Sequence, residues 1–114
     1  MILIVGGAFQ GKKEYANHYY GKDYTVVDSY HVLIKEQLEM GMNPIERAES
    51  FLTDRKGQKL IILCDEVGSG VVPMKASERL YREMVGRVCC YFAKESSEVI
   101  RVVAGIGTKI KTQG

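Results

Sequence analysis

The chain has 114 residues, 46% of them hydrophobic and 26% charged, with 16 Lys and Arg against 14 Asp and Glu for a net charge of +2. That is the length of one domain built around one core, residues 1–114 together, and a charge so small and scattered argues against a nucleic-acid surface. With no basic leader ahead of a hydrophobic stretch and no apolar run near bilayer length, the expectation is a cytoplasmic protein without a membrane span.

The apolar run Ile2-Leu3-Ile4-Val5 reads as a buried strand and leads straight into Gly6-Gly7-Ala8-Phe9-Gln10-Gly11-Lys12. The spacing of Gly6, Gly11 and Lys12 is that of a phosphate-binding P-loop, in which glycines let successive backbone N–H groups turn inward around an anion. Gly6, Gly7, Ala8, Phe9, Gln10, Gly11, Lys12 and Lys13 are therefore the candidate nucleotide-binding residues. Lys12 stands at a helix N-terminus, whose unpaired donors and partial positive charge add to the anion site, and reaches for the β- and γ-phosphates of ATP or GTP. The next position, which in a P-loop supplies the Ser or Thr hydroxyl for Mg²⁺, is Lys13, and an ammonium cannot ligate a cation. A glycine-rich strand-to-helix turn with no ligand fits the same residues.

The following helix runs from Lys12 to Tyr20, with Gly21 as a left-handed C-terminal cap and His18 at the surface or core edge. Tyr24–Asp28 is a second strand ending in a carboxylate, and Ser29 caps a helix from Tyr30 to about Gly41. Asn43 as N-cap and Pro44 at the first helical position begin another, Pro44–Arg55, which Gly57 ends. Lys59–Cys64 is continuously apolar, the mark of a parallel-sheet strand buried on both faces. Ligands bind beyond the carboxyl ends of such strands, so Asp28 and the pair Asp65-Glu66 project toward the crevice of the loop.

Val67–Pro73 is a glycine-containing connection. Between Lys75 and Glu95, Leu80, Met84, Val88 and Phe92 recur every four residues, predicting one long amphipathic helix. Gly86 inside it costs about 0.8–1 kcal/mol, which suggests close packing on another backbone, within the chain or of a neighbouring subunit. Cys64, Cys89 and Cys90 cannot all pair within one chain, suit a reducing compartment, and lack zinc-site spacing. Glu98–Ala104 is a fourth strand, Gly105-Ile106-Gly107 a turn, and Lys109-Ile110-Lys111 an edge strand. The alternation predicts an α/β, P-loop-containing three-layer fold, its sheet mostly parallel with about four strands plus a short edge strand.

Three stretches, Asp65–Pro73, Arg79–Val88 and Val102–Lys111, together with Gly6-Gly7-Ala8 and Gly11-Lys12, resemble the bifunctional adenosylcobinamide kinase/adenosylcobinamide-phosphate guanylyltransferase family of cobalamin synthesis. The resemblance implies nucleotide binding, cobinamide as the phosphoryl acceptor, and a homo-oligomer, a trimer. It makes Asp28 the metal-associated aspartate. Because phosphoryl transfer needs mainly positioning and charge neutralisation, Lys12, Asp28 and Glu66 are the catalytic candidates, with Asp28 or Glu66 as the Mg²⁺ ligand. The family's guanylylated histidine lies in a segment that has no counterpart between the loop and Asp28, and His31 follows Asp28 too closely to replace it. Asp65 stands where the family has Asn, and Cys89-Cys90 where it has Asn-Gln. These departures imply that the guanylyltransferase half is lost and leave two readings open: a kinase acting on cobinamide, or a non-catalytic nucleotide-sensing or interaction module. A small kinase for another hydroxyl substrate is the weaker third.

Overall fold

All five residues of β1 (Ile2–Gly6) are buried, because helices cover both faces of the strand and no position faces water. The computed structural model describes residues 1–66 and 75–112. In chain order β1 is followed by α1 (Lys12–Tyr19), β2 (Thr25–Val27), α2 (Tyr30–Glu39), α3 (Pro44–Asp54), β3 (Leu60–Asp65), α4 (Ala76–Glu95), β4 (Glu98–Val103) and β5 (Ile106–Lys111). The strands form one sheet in the order β2-β3-β1-β4-β5. β1 pairs in parallel with β3 and with β4, β2 pairs in parallel with β3, and β5 is antiparallel to β4.

The α/β architecture expected from the alternating pattern is therefore present, with four parallel strands and an antiparallel edge. Leu3, Val5, Ile62, Cys64 and Val99 pack with Tyr30, Ile34, Ala48, Val85, Val88 and Phe92, so α2, α3 and α4 share one face. On the other face Ile2, Ile4, Ile61, Leu63, Ile100 and Val102 pack with Tyr15 and Ala16 of α1. The chain crosses the sheet one way from β1 to β2 and returns from β2 through β3 to β4, so a single crossover hand puts α1 opposite the other helices. The connections leaving β1 and β3 thus part to opposite faces at adjacent strand ends, and such a switch point opens a crevice.

Several local expectations hold. Asn43 Oδ1 accepts the amides of Ile45 and Glu46, with Pro44 at the start of α3, and Gly41 and Gly57 have positive φ beyond α2 and α3. Others are corrected. Gly21 is not the left-handed cap, because α1 closes on Tyr20, whose backbone is extended. Ser29 sits at the N-cap of α2, but its hydroxyl bonds to Asp28 instead of capping the helix. The hairpin turn is Ala104-Gly105, φ 49° and 77°, while Gly107 lies within β5 and is glycine there because a Cβ would overlap the Tyr15 ring. Gly86 has no atom within 4 Å of where a Cβ would stand, so among the described residues no backbone of its own chain packs on it, which corrects the within-chain half of that expectation. The expected connection Val67–Pro73 lies outside them.

Candidate functional site

Gly6 ends β1 beside Asp65 of β3, and the two strand ends are tied by the Glu66 amide donating to the Gly6 carbonyl at 2.7 Å. The loop then turns back through Phe9 and Gly11, both at positive φ, 59° and 92°. Gly6 has to be glycine because a Cβ would fall 2.4 Å from the Val102 carbonyl oxygen on the neighbouring strand. The far side of the loop is fastened to the β4–β5 turn: Ala104 N–H donates to Gln10 Oε1 at 2.6 Å and Gly105 N–H to the Gln10 carbonyl at 2.8 Å. Gly11 is the N-cap of α1 and makes no side-chain cap, so the first-turn amides of that helix are left for a ligand.

Lys12 is buried at this helix start. Its ammonium lies 2.6 Å from Asp65 Oδ1 and donates to the Gly7 carbonyl at 2.8 Å and the Gly6 carbonyl at 3.4 Å. From α2, His31 reaches the same carboxylate: Nδ1 accepts the Asp65 amide at 3.0 Å, and Nε2 is 3.4 Å from Oδ2. Because Nδ1 accepts, the neutral ring carries its proton on Nε2, facing the carboxylate. Lys12, Asp65 and His31 therefore form one polar cluster at the crevice between β1 and β3.

A cavity of about 380 Å³ opens over this cluster, lined by Ala8 through Glu14, Asp28, Ser29 and Asp65. It holds three carboxylates, Glu14, Asp28 and Asp65, and two lysines, Lys12 and Lys13. Asp28 and the loop thus meet as the strand-end argument expects. Glu66 goes elsewhere, its Oε2 3.1 Å from Arg101, beside a separate cavity that includes Val85, Cys89 and Ile110 on the α4 side. The alternation of β3 explains the split. Ile61 and Leu63 point to the α1 face and Asp65 has their parity, whereas Ile62 and Cys64 point to the α4 face and Glu66 has theirs.

The fit to Mg²⁺ follows from the donor set. No group of three or more His, Cys, Asp or Glu is placed to hold a metal among the described residues. A magnesium–nucleotide complex asks for less, one or two carboxylates with the phosphates and water completing the shell. Asp28, exposed and bonded to Ser29 Oγ at 3.2 Å, is such a carboxylate, and Asp65 lies across the same cavity. Behind the site the sulfurs of Cys64 and Cys89 are 3.5 Å apart, and that contact together with burial pushes the Cys64 thiol up. Among the described residues no helix is long and apolar enough to cross a membrane.

The sequence pattern of the cobinamide kinase / cobinamide phosphate guanyltransferase family matches residues 20–110. Two curated relatives, each named bifunctional adenosylcobalamin biosynthesis protein CobU, come from Escherichia coli K12 and Salmonella typhimurium LT2. Each is 43% identical over 53 residues, which is 46% of this chain and 29% of the relative's own length. The loop from Gly6 to Lys13 precedes the residues matched to the family, so its role is argued from its geometry.

Proposed function

The chain belongs to the cobinamide kinase / cobinamide phosphate guanyltransferase family, and from that premise we propose that it serves cobalamin biosynthesis by binding the triphosphate of ATP or GTP in the loop from Gly6 to Lys13. The observation that carries this reading is the burial of Lys12 between the loop carbonyls and Asp65, at the foot of a helix whose first amides are uncapped. Phosphoryl transfer needs mainly positioning and charge neutralisation. Here Lys12, Lys13 and the loop amides neutralise the phosphates, and Asp28, with Asp65 opposite, would hold Mg²⁺, which when bound offsets charge on the transferred group. The reaction is phosphorylation of the cobinamide hydroxyl.

Guanylyl transfer needs a histidine nitrogen free for in-line attack. Both nitrogens of His31 face Asp65, and His18 is on the exposed side of α1. Neither takes that role. The free thiols suit a reducing cytoplasm. Exposed Leu80, Ile106 and Ile110 offer apolar surface to further copies in the homo-oligomer, a trimer, that the resemblance implies. Lys13 in place of a metal-ligating hydroxyl favours a second reading, a nucleotide-sensing module without turnover.

Calorimetric titration with ATP and GTP, with and without Mg²⁺, tests the reading in the wild type and Lys12→Ala. Micromolar binding that strengthens with Mg²⁺ and disappears in the variant is expected. Absence of binding by folded protein under every condition overturns it. Phosphorylation of cobinamide that vanishes in Lys12→Ala separates the kinase from the sensing module.

A further inference from the structure

A second cavity, about 600 Å³, lies on the other side of the loop, between α1 and the β4–β5 turn. It shares Phe9, Gln10, Gly11 and Glu14 with the cavity over Lys12, so the two adjoin the same stretch of the loop. Its remaining walls are Tyr15, His18, Tyr19, Ala104 and Gly105. Three of its rings already pack together, Tyr15 tilted against Tyr19 at 4.4 Å and His18 edge-on to Tyr19 at 4.6 Å between centroids.

Phe9 is the feature that needs an explanation. It is 102% exposed, so its ring touches almost nothing, and its φ is 59°, a conformation that bulky residues avoid. A strained backbone presenting a bare aromatic ring at a loop tip is costly without an occupant, and such outliers cluster at ligand clamps. Tyr19, 63% exposed, presents a second ring on the same cavity. Glu14 and His18 add a carboxylate and an imidazole to its wall, groups that can meet the hydrogen-bonding edge of a heterocycle. A volume of this size, with four rings and a few polar groups on its walls, is that of a small-ligand pocket.

We infer that this cavity receives the purine base of the nucleotide whose phosphates occupy the loop, with Phe9 and Tyr19 as its stacking surfaces. The inference rests on the nucleotide reading above and assigns the base a place that reading leaves open. Stacking of a base on an aromatic side chain contributes on the order of tenfold in affinity, and it acts on the base alone. Inorganic tripolyphosphate, which has phosphates and no base, is therefore the discriminating probe.

The full chain, as wild type, Phe9→Ala and Tyr19→Ala, is titrated with ATP, GTP and tripolyphosphate. Both side chains are exposed, and the fold of each variant is checked by circular dichroism. The expected result is a loss of about tenfold in nucleotide affinity in each variant, with tripolyphosphate affinity unchanged in Tyr19→Ala, whose side chain lies outside the loop. A Phe9→Trp variant, the only tryptophan in a chain that has none, is quenched by the nucleotides and not by tripolyphosphate. Unchanged nucleotide affinity in both alanine variants, with tripolyphosphate still bound, overturns the base site and leaves the phosphate loop standing. Failure of the wild type to bind either tripolyphosphate or nucleotide overturns both.

Discussion

Replacing Lys12 by methionine keeps most of the side-chain volume and removes the charge, which isolates the electrostatic role of the residue. The ammonium is 9% exposed and its partner Asp65 22%. Removing one member of a buried pair costs about 3–5 kcal/mol, most of it from the charge left behind. Asp65 keeps some water and His31 at 3.4 Å, so the lower end applies and Lys12→Met should destabilise by about 3 kcal/mol. Asp65→Asn strands the more buried member, with the Gly7 and Gly6 carbonyls as its remaining partners, and should cost about 3 kcal/mol. The double variant strands neither charge. Its loss should fall short of the sum by about 0.5–3 kcal/mol, the range of coupling between contacting residues. Urea denaturation followed by circular dichroism measures all four proteins. For a domain of this size Lys12→Met should also lower Tm by roughly 10 °C. Additive losses in the double variant, or a Lys12→Met protein within about 0.5 kcal/mol of wild type, would refute the buried pair.

Gly6→Ala should destabilise by about 3 kcal/mol or prevent folding, since its Cβ would stand 2.4 Å from a backbone oxygen that cannot move aside; urea denaturation reads it. Gly86→Ala should stabilise the chain by about 0.8–1 kcal/mol, because the position is helical and its Cβ meets nothing within 4 Å; a loss of oligomer on gel filtration with this variant would place the position in a subunit contact. Burial, and then Glu98, whose carboxylate accepts the Tyr20 hydroxyl at 3.3 Å, raise the Tyr20 pKa. The folded state therefore holds the Tyr20 proton more tightly than the unfolded one, so stability is full below pH 10 and falls as the pH rises above it. Tyr20→Phe should flatten that alkaline fall in urea midpoints taken from pH 9 to 11.

Most strands and helices were legible because the signals are local: an unbroken apolar run for β1 and β3, a four-residue period for α4, Asn-Pro for α3. The same unbroken runs concealed which acid faces the loop. Asp65 and Glu66 differ only in parity, and a strand buried on both faces carries no alternation from which to read it. The phase is set by α1 and α4 packing on opposite sides, a tertiary fact. Gly105 and Gly107 invited a turn across both for a similar reason. Gly105 does supply the left-handed turn, but Gly107 is required by the Tyr15 ring from a distant helix. The aromatic cavity was invisible for want of any short-range sign that the 104–105 turn folds against α1. The loop from Gly6 to Lys13, in contrast, is contiguous, so the spacing of Gly6, Gly11 and Lys12 is readable without any knowledge of packing.

Lys12 is not a free cation awaiting phosphate, because it is held by Asp65 at 2.6 Å and by Gly7 at 2.8 Å. A triphosphate entering the cavity has to compete with that carboxylate, which also repels it. Asp65 therefore lowers affinity for a metal-free polyanion, while across the cavity from Asp28 it provides a second oxygen donor toward a divalent cation. The two effects have opposite signs and can be separated in one variant. Asp65→Asn should bind tripolyphosphate several-fold more tightly than wild type in the presence of a chelator, since the competing charge is gone and Lys12 is released. With Mg²⁺ the advantage should shrink or reverse, as the variant has lost the charge that favours the cation. Calorimetry in chelator and in excess Mg²⁺ gives both numbers. Weaker metal-free binding by a folded Asp65→Asn protein would show that Asp65 positions Lys12 for the anion, and the competition argument would fail.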